Sequence, residues 1–377
     1  MSLERLLGWL ADIQYRHHVA IVAAAVVITA FMAQGVTKVY MEGDIEKSMP
    51  HDLPYYQNKD IVDSKFGGAD TILVVVELDH GSNIKNRPHD IRDPRVMQML
   101  IDLQSQLEGE SKIDRVMSAG SFFPQGVPQT TEGVKTVLKH IPGSDGVFNK
   151  DYSITLLYAY ANVGFSEKNV KSFTGIIQDN IDSVPKPPGV KLSITGGPPM
   201  VDTMMSVLWG DAVYTITLAA AVILFLLIIL QRSIYKGVLV FIPLSLGLTW
   251  TLGAMGHMNI PLSIATVAIG AMILGLGVEY GVFVVERYME ERERKGRGQR
   301  ESLHVAVTGV GGAILGSGTT TIVGFGALTL SVLPMLQDLG KTLALGIASC
   351  LIVALFVNPA FIIFAGKVTR RNNVCKR

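Results

Sequence analysis

The sequence predicts a polytopic α-helical membrane protein in which one transmembrane helix precedes a large extramembrane α/β domain and five more helices follow it. Three observations carry this prediction. The 377 residues are 49% apolar and only 17% charged, whereas soluble domains carry about 25% charge. The charges that exist are crowded into short stretches, leaving long runs without any. Six segments, approximately 17–36, 212–230, 234–256, 261–285, 305–332 and 340–365, reach the length needed to cross a bilayer, which is roughly 20 apolar residues for a core of about 30 Å.

The first segment has a basic start and an Ala-rich centre, as a signal peptide would, so its retention rests on topology. Arg5 and Arg16 precede it, Arg232 and Lys236 lie between helices two and three, and Arg287, Arg292, Arg294, Lys295, Arg297 and Arg300 crowd the link between four and five. The C-terminal tail is also basic, whereas the GHMNIP link at 256–261 carries no Lys or Arg. The positive-inside rule then puts both termini in the cytoplasm and the 37–210 segment outside. That requires an even number of spans, so the first segment stays as a helix. The predicted organisation is 1–36 for the cytoplasmic N-terminus and first span, 37–210 for the outer domain, 211–366 for helices two to six, and 367–377 for a basic tail.

Within the outer segment, DTILVVVELD at 70–79 has the β-branched richness of a strand. Asp93-Pro94 starts a helix through about Leu107, with Pro where its missing N–H costs nothing. Residues 112–119 form a second strand and 152–161 a third. Ser166 with Glu167 caps a helix to about Val184, and 190–196 closes the domain as a fourth strand. Two β-α-β halves give a ferredoxin-like arrangement. The Gly- and Pro-rich piece at 120–150 has a short helix near Glu132–His140.

Several function classes drop out. No stripe of Lys and Arg runs through a folded domain, so the chain is not expected to bind nucleic acid. Cys350 and Cys375 both lie outside the α/β domain, which excludes a disulfide framework there. No His/Cys cluster suggests a metal, and His17 and His18 read as interface residues. No nucleophile elbow, P-loop or framed carboxylate pair suggests an enzyme or an ATP site.

The chemistry concentrates in helix four, at GLGVEYG, 275–281. Glu279 lies about eight residues, or roughly 12 Å, before the charged boundary at Arg287. An acidic residue at that depth costs about 2.5–3.5 kcal/mol. It is either a neutral acid bonded to a neighbour, serving as interhelical glue, or a group that ionises when a rearrangement wets it, as a proton carrier must. At 100° per residue Gly270, Gly277 and Gly281 share one stripe, with Gly275 and Glu279 nearly opposite. Small residues on both faces predict a centrally placed helix approached from two sides, with Glu279 facing an inner helix rather than lipid. Tyr280, next in sequence, either extends a hydrogen-bond chain or packs. On helix five, GSGTTTIVGFG at 316–326 supplies Ser317, Thr319, Thr320 and Thr321 at mid-membrane depth. Such hydroxyls either join a relay or bond back to their own helix, and Gly312 and Gly316 mark close packing. Residues 286–301 are expected to lie along the inner surface as an amphipathic helix, with Arg287 beside Glu290 and Glu291.

GLGVEYG followed by Arg287 and Glu290-Glu291, TTTIVGFGAL on helix five, TGGPP at 195–199, and the one-plus-five helix order together resemble half of a resistance-nodulation-division (RND) transporter. The nearest resemblance is to the half-length branch for hydrophobic and amphiphilic compounds, related to the MmpL and Patched-like proteins, and it covers essentially the whole chain. The resemblance implies a porter-type outer domain, a sterol-sensing-domain-like block at 211–366, and export of lipid-like molecules from the cell membrane, driven by protons. It implies a proton relay of Glu279, Tyr280 and one of Thr319–Thr321, packed by Gly275, Gly277, Gly281 and Gly316. Many relatives carry Asp where Glu279 stands, so the partner of its longer arm is not fixed by the motif. Full-length members carry two such halves, so the resemblance implies a homodimer. No cofactor is expected beyond the coupling ion, a proton or, since carboxylate and hydroxyls coordinate it too, sodium. Two other functions fit parts of the pattern: a SecDF-type accessory subunit for protein secretion, and a sterol or lipid receptor that transports nothing.

Overall fold

The computed structural model describes residues 3–42, 70–79, 84–161 and 167–374, with isolated positions 50, 54, 57, 58, 61 and 65. The described residues divide into two compact units, one within 1–42 and 207–377 and one within 51–206. The chain starts with α1 (Leu3–Arg16), which the sequence reading treats only as an N-terminal extension, and α2 (His18–Val36). In α1 the buried positions Leu7, Leu10, Ala11 and Gln14 fall at i, i+3, i+4 and i+7, the spacing of one helical face.

The α/β unit runs β1 (Asp70–Leu78), α3 (Pro94–Glu108), β2 (Arg115–Met117), α4 (Thr131–Lys139), β3 (Ile154–Ala161), α5 (Glu167–Ser183) and β4 (Val190–Gly196). Its sheet has the order β2-β3-β1-β4 with every pairing antiparallel; Val74 is opposite Leu157 on one side and Ile194 on the other. Alternation sorts β1: Ile72, Val74, Val76 and Leu78 are buried at 0–2% exposure, because successive strand side chains point to opposite faces. Leu100, Leu103 and Leu107 of α3 and Phe173, Ile177 and Ile181 of α5 share that core.

The second and third strands are shorter than their sequence signals. Ser118 leaves β2 to cap the one-turn helix Ala119–Phe122 through Gly120 N–H. Tyr152 sits at φ 54° and Asn149 accepts from the N–H groups of Ser153 and Ile154, delaying β3 until Ile154. Helix α5 starts at Glu167, and the expected cap at Ser166 falls outside the described residues.

Asp93 caps α3 by accepting from Arg95 N–H at 2.9 Å, and the Arg95 guanidinium closes on the same carboxylate. The Arg95 hydrogen bonds hold the Asp93 carboxyl below its usual range. At Asp90 burial pushes upward, but hydrogen bonds from the Arg92 side chain and backbone and the charges of Arg92 and Lys135 outweigh it, so the net shift is also downward.

The remaining elements are α6 (Gly197–Leu230), α7 (Ile234–His257), α8 (Ile269–Met289), α9 (Gln299–Ala327), α10 (Pro334–Ile352) and α11 (Asn358–Val374). Among the described residues, six helices are long and apolar enough to cross a membrane, the last formed by α10 and the first part of α11. This is the architecture of a polytopic membrane protein. Helix α6 begins well before the expected 212, since Pro198 and Pro199 occupy first-turn positions that tolerate proline. Helix α8 starts at Ile269 rather than 261. Leu262 instead pairs with the chain at Tyr40 and Glu42 in a short bridge, and Ser263 N–H donates to the Thr266 hydroxyl at 2.7 Å in a turn.

The surface helix expected over 286–301 is not there. Helix α8 runs on to Met289, a π-turn takes Glu290–Arg294, and Gly296, at φ 66°, helps turn the chain into α9. The clustered basic residues mark a tight connection between two spans.

The depressed Asp90 and Asp93 carboxyls fix the sign of a pH effect. Their contribution to stability is complete above the ordinary value of 3.8 and disappears as pH falls through the lower folded values. In thermal unfolding of the full chain in detergent, Asp93→Ala is expected to cost about 1 kcal/mol at neutral pH through loss of the cap. It should also make the loss of stability on acidification shallower; an unchanged acid profile would refute the assignment.

Candidate functional site

Helix α8 is the axis of the membrane unit, and its two sides meet different surroundings. One side packs. A Cβ on Gly277 would lie 2.7 Å from Cys350 Sγ and 3.1 Å from Leu244 Cδ1, and one on Gly281 would lie 3.2 Å from Val240 Cγ1. Gly270 would collide with Ile216 of α6. Tyr280 is 1% exposed, the largest fully buried side chain, and its phenol lies beside Thr321 and Ser317 of α9.

The other side is open. A Cβ on Gly275 would meet nothing within 4 Å, and Glu279 is exposed. Glu279 sits ten residues from either end of Ile269–Met289, so roughly 15 Å of helix extends each way. It has no hydrogen bond or ion pair among the described residues. The expectation that Glu279 faces an inner helix of its own bundle is therefore corrected. Glu279 lies about 200° around α8 from Gly277, and the glycine stripe takes all the close packing within the chain.

The hydroxyls of α9 divide in the same way. Thr320 donates to the carbonyls of Ser317 at 2.8 Å and Gly316 at 3.1 Å, and Thr321 donates to Ser317 O at 2.9 Å. Both bond back to their own helix, as mid-helix threonines commonly do. Ser317, Thr319 and Thr320 are exposed, and a Cβ on Gly316 would be in open space. The chain thus brings Tyr280 to Ser317 and Thr321 but leaves Glu279 outside that group.

At the Arg-rich end, Arg287 pairs with Glu290 at 2.8 Å and Glu291 at 2.9 Å. Glu291 is fully buried among cations, with Lys295 at 2.8 Å and Arg297 at 2.9 Å from its two oxygens. This cluster ties the end of α8 to the start of α9. It positions those helices and touches nothing at Glu279.

A second buried polar group escaped the sequence reading. Between α10 and α11 the backbone makes a π-turn at Val353–Val357, which interrupts the regular ladder of carbonyl acceptors. Gln14 of α1, itself 0% exposed, donates to Leu355 O at 2.5 Å. Asn358 follows the π-turn, fully buried, near Gly281 of α8. One polar residue on the buried face of α1 and one Asn in an apolar helix were the available signals.

A glycine-lined α8 and the five other apolar helices, with one acid at mid-span of α8, define a membrane-embedded bundle of transporter-like build. The chain belongs to the MMPL family, whose model matches residues 92–375, and it is RND/MmpL-like. It is 34% identical over 369 residues to the putative membrane protein MJ1562 of Methanocaldococcus jannaschii, covering 96% of this chain and 95% of that one. It is 31% identical over 191 residues to the siderophore exporter MmpL5 of Mycobacterium tuberculosis, covering 48% of this chain but 19% of the relative. Membrane protein YdfJ of Bacillus subtilis matches 97% of this chain at 23% identity with 45% of its own length. The chain therefore spans nearly all of one relative and less than half of the other two.

The two sides of α8 give a paired prediction. Gly277→Leu drives a side chain into Cys350 and Leu244, and overpacking of this kind costs about 1–3 kcal/mol or more. Gly275→Leu finds open space in its own chain. Thermal unfolding of the two variants purified as monomers in detergent should separate them by that margin; equal destabilisation of the monomers would mean that both sides of α8 are packed within one chain.

Proposed function

We propose that this chain is a proton-coupled membrane transporter that exports hydrophobic or amphiphilic, lipid-like molecules, acting as a homodimer in the cell membrane. Glu279 is the proton carrier, exposed at mid-helix on the open side of α8. That observation carries the reading. An acid held against lipid at mid-membrane depth costs about 2.5–3.5 kcal/mol, and an ionised one with no partner costs more. A second copy seated on the same face removes both open surfaces at once, and Gly275 and Gly316 leave room for backbones to approach. The transport function draws support from relatives whose names describe transport and, for MmpL5, siderophore export.

In this reading both termini are cytoplasmic and 37–210 is an extracytoplasmic porter domain. Its strand order β2-β3-β1-β4, with a helix inside each β-α-β half, supports the ferredoxin-like description. The domain receives the amphiphile, and the block at 211–366 moves the proton. Protonation neutralises Glu279 and lets it sit in an apolar interface, while deprotonation demands water or a donor. Tyr280 is the nearest phenol in sequence. Its contact with Ser317 and Thr321 connects α8 to α9, so a change of charge at Glu279 reaches a second helix. Thr319 and Thr320, exposed beside them, are available to a partner chain.

Glu279→Gln keeps the shape and removes the titration. In proteoliposomes with a pH gradient, the variant should fold and associate like the wild type yet lose proton flux and gradient-driven movement of a fluorescent amphiphile. Undiminished flux and transport in Glu279→Gln would end the proposal.

A further inference from the structure

The Arg-rich end of the bundle holds a cavity of 590 Å³ that plays no part in the reading above. It lies between the α6–α7 turn and the last turns of α8, with Val310 of α9 on its wall. We propose that this cavity binds the phosphate headgroup of an anionic membrane lipid, held by Arg232 and Arg294.

The lining carries four cations, Arg232, Lys236, Arg287 and Arg294, against three carboxylates, and two of the carboxylates are already paired with a cation. Glu286 accepts from Gln231 at 3.0 Å, Glu293 pairs with Lys236 at 2.6 Å, and Glu290 pairs with Arg287 at 2.8 Å. Arg232 and Arg294 line the same cavity, and neither guanidinium has an ion-pair or hydrogen-bond partner among the described residues. Two guanidinium forks without carboxylates are matched by phosphate oxygens, which accept from such forks in pairs.

The cavity also mixes charged and apolar surfaces. Leu230 is 75% exposed and Phe283 48% exposed, and both line the cavity beside the arginines. A free phosphate would satisfy the cations and leave these apolar groups wet. A lipid satisfies both, with its phosphate on the guanidinium groups and the start of its chains against Leu230, Phe283 and Val310.

The cavity's position matches a headgroup as well. Arg232 is the second residue after the 34-residue apolar helix Gly197–Leu230, which places it at the level where headgroups lie. Its φ of 48° is uncommon for a side-chain-bearing residue and fixes where its side chain leaves the turn. Basic pockets at this depth attract anionic headgroups. Nothing in this inference depends on Glu279 or on proton coupling.

The test uses the full-length protein in nanodiscs of phosphatidylcholine with or without phosphatidylglycerol, followed by mass spectrometry of lipid retained after release. The wild type is expected to retain phosphatidylglycerol in preference to phosphatidylcholine. The double variant Arg232→Gln/Arg294→Gln should lose that preference by on the order of tenfold while unfolding at the wild-type temperature in phosphatidylcholine alone. Arg300→Gln is the control, since Arg300 lies outside the cavity and pairs with Asp12 at 2.9 Å. An unchanged preference in the double variant, or an equal loss in Arg300→Gln, overturns the site. Displacement of the retained lipid by inorganic phosphate at equal concentration would assign the cavity to a soluble anion and overturn the lipid as its occupant.

Discussion

A carboxyl group at the midpoint of a membrane helix, turned away from its own bundle, is the constraint around which this molecule is arranged. Water solvates a carboxyl group and lipid does not, so Glu279 on that side calls for a neighbour that the single chain does not supply. The opposite side of α8 explains why the acid points outward. Gly270 and Gly277 admit Ile216 and Cys350 so closely that an added Cβ would collide, and Gly281 packs tightly against Val240. Close packing of small residues, rather than apolar burial, holds helices together where lipid is as apolar as leucine. The helix thus gives one side to its own fold and leaves the other free. The proposed transport function is the consequence of placing an acid on that free side.

The polar groups at the bundle's ends act as fasteners. Glu291 gathers Arg287, Lys295 and Arg297 at the π-turn that ends α8, and such a buried carboxylate is tolerated only with every charge matched. Gln14 does comparable work at the second π-turn by meeting a carbonyl that the widened ladder exposes. The first π-turn ends α8, and the second lies within the last span. Each is closed by a side chain distant in sequence or by a charge cluster.

Much of the fold was legible because its signals are local. Apolar runs gave the spans, β-branched runs gave β1 and β4, and Asp93-Pro94 gave the start of α3. Where legibility failed, a distant partner decided the outcome. Pro261 looked like the start of a helix, yet residues 261–268 turn and bridge to Tyr40 and Glu42. The charged run at 286–301 had the composition of a surface helix, but the burial of Glu291 and the turn at Gly296 made it a connector. In the site, the sequence singled out Glu279 and its glycines correctly as two opposite stripes of α8. It expected neighbours on both stripes, with Glu279 facing an inner helix, and that expectation failed because helical periodicity fixes relative angles and not the identity of the neighbour. Gln14 and Asn358 gave almost no warning, since one polar residue on an amphipathic or apolar helix is ordinary until its surroundings are known.

If two copies meet across the open side of α8, the helix surface around Gly275 lies at a dimer seam in the intact membrane. Cysteine cross-linking in native membranes reads this out, using a chain with Cys350 and Cys375 replaced and a single Gly275→Cys. Rapid formation of a covalent dimer is expected, while Phe225→Cys, exposed on α6, should give none. Absence of a Gly275 cross-link from membranes in which the same variant still transports would contradict the account, because Glu279 would then face lipid in the working protein.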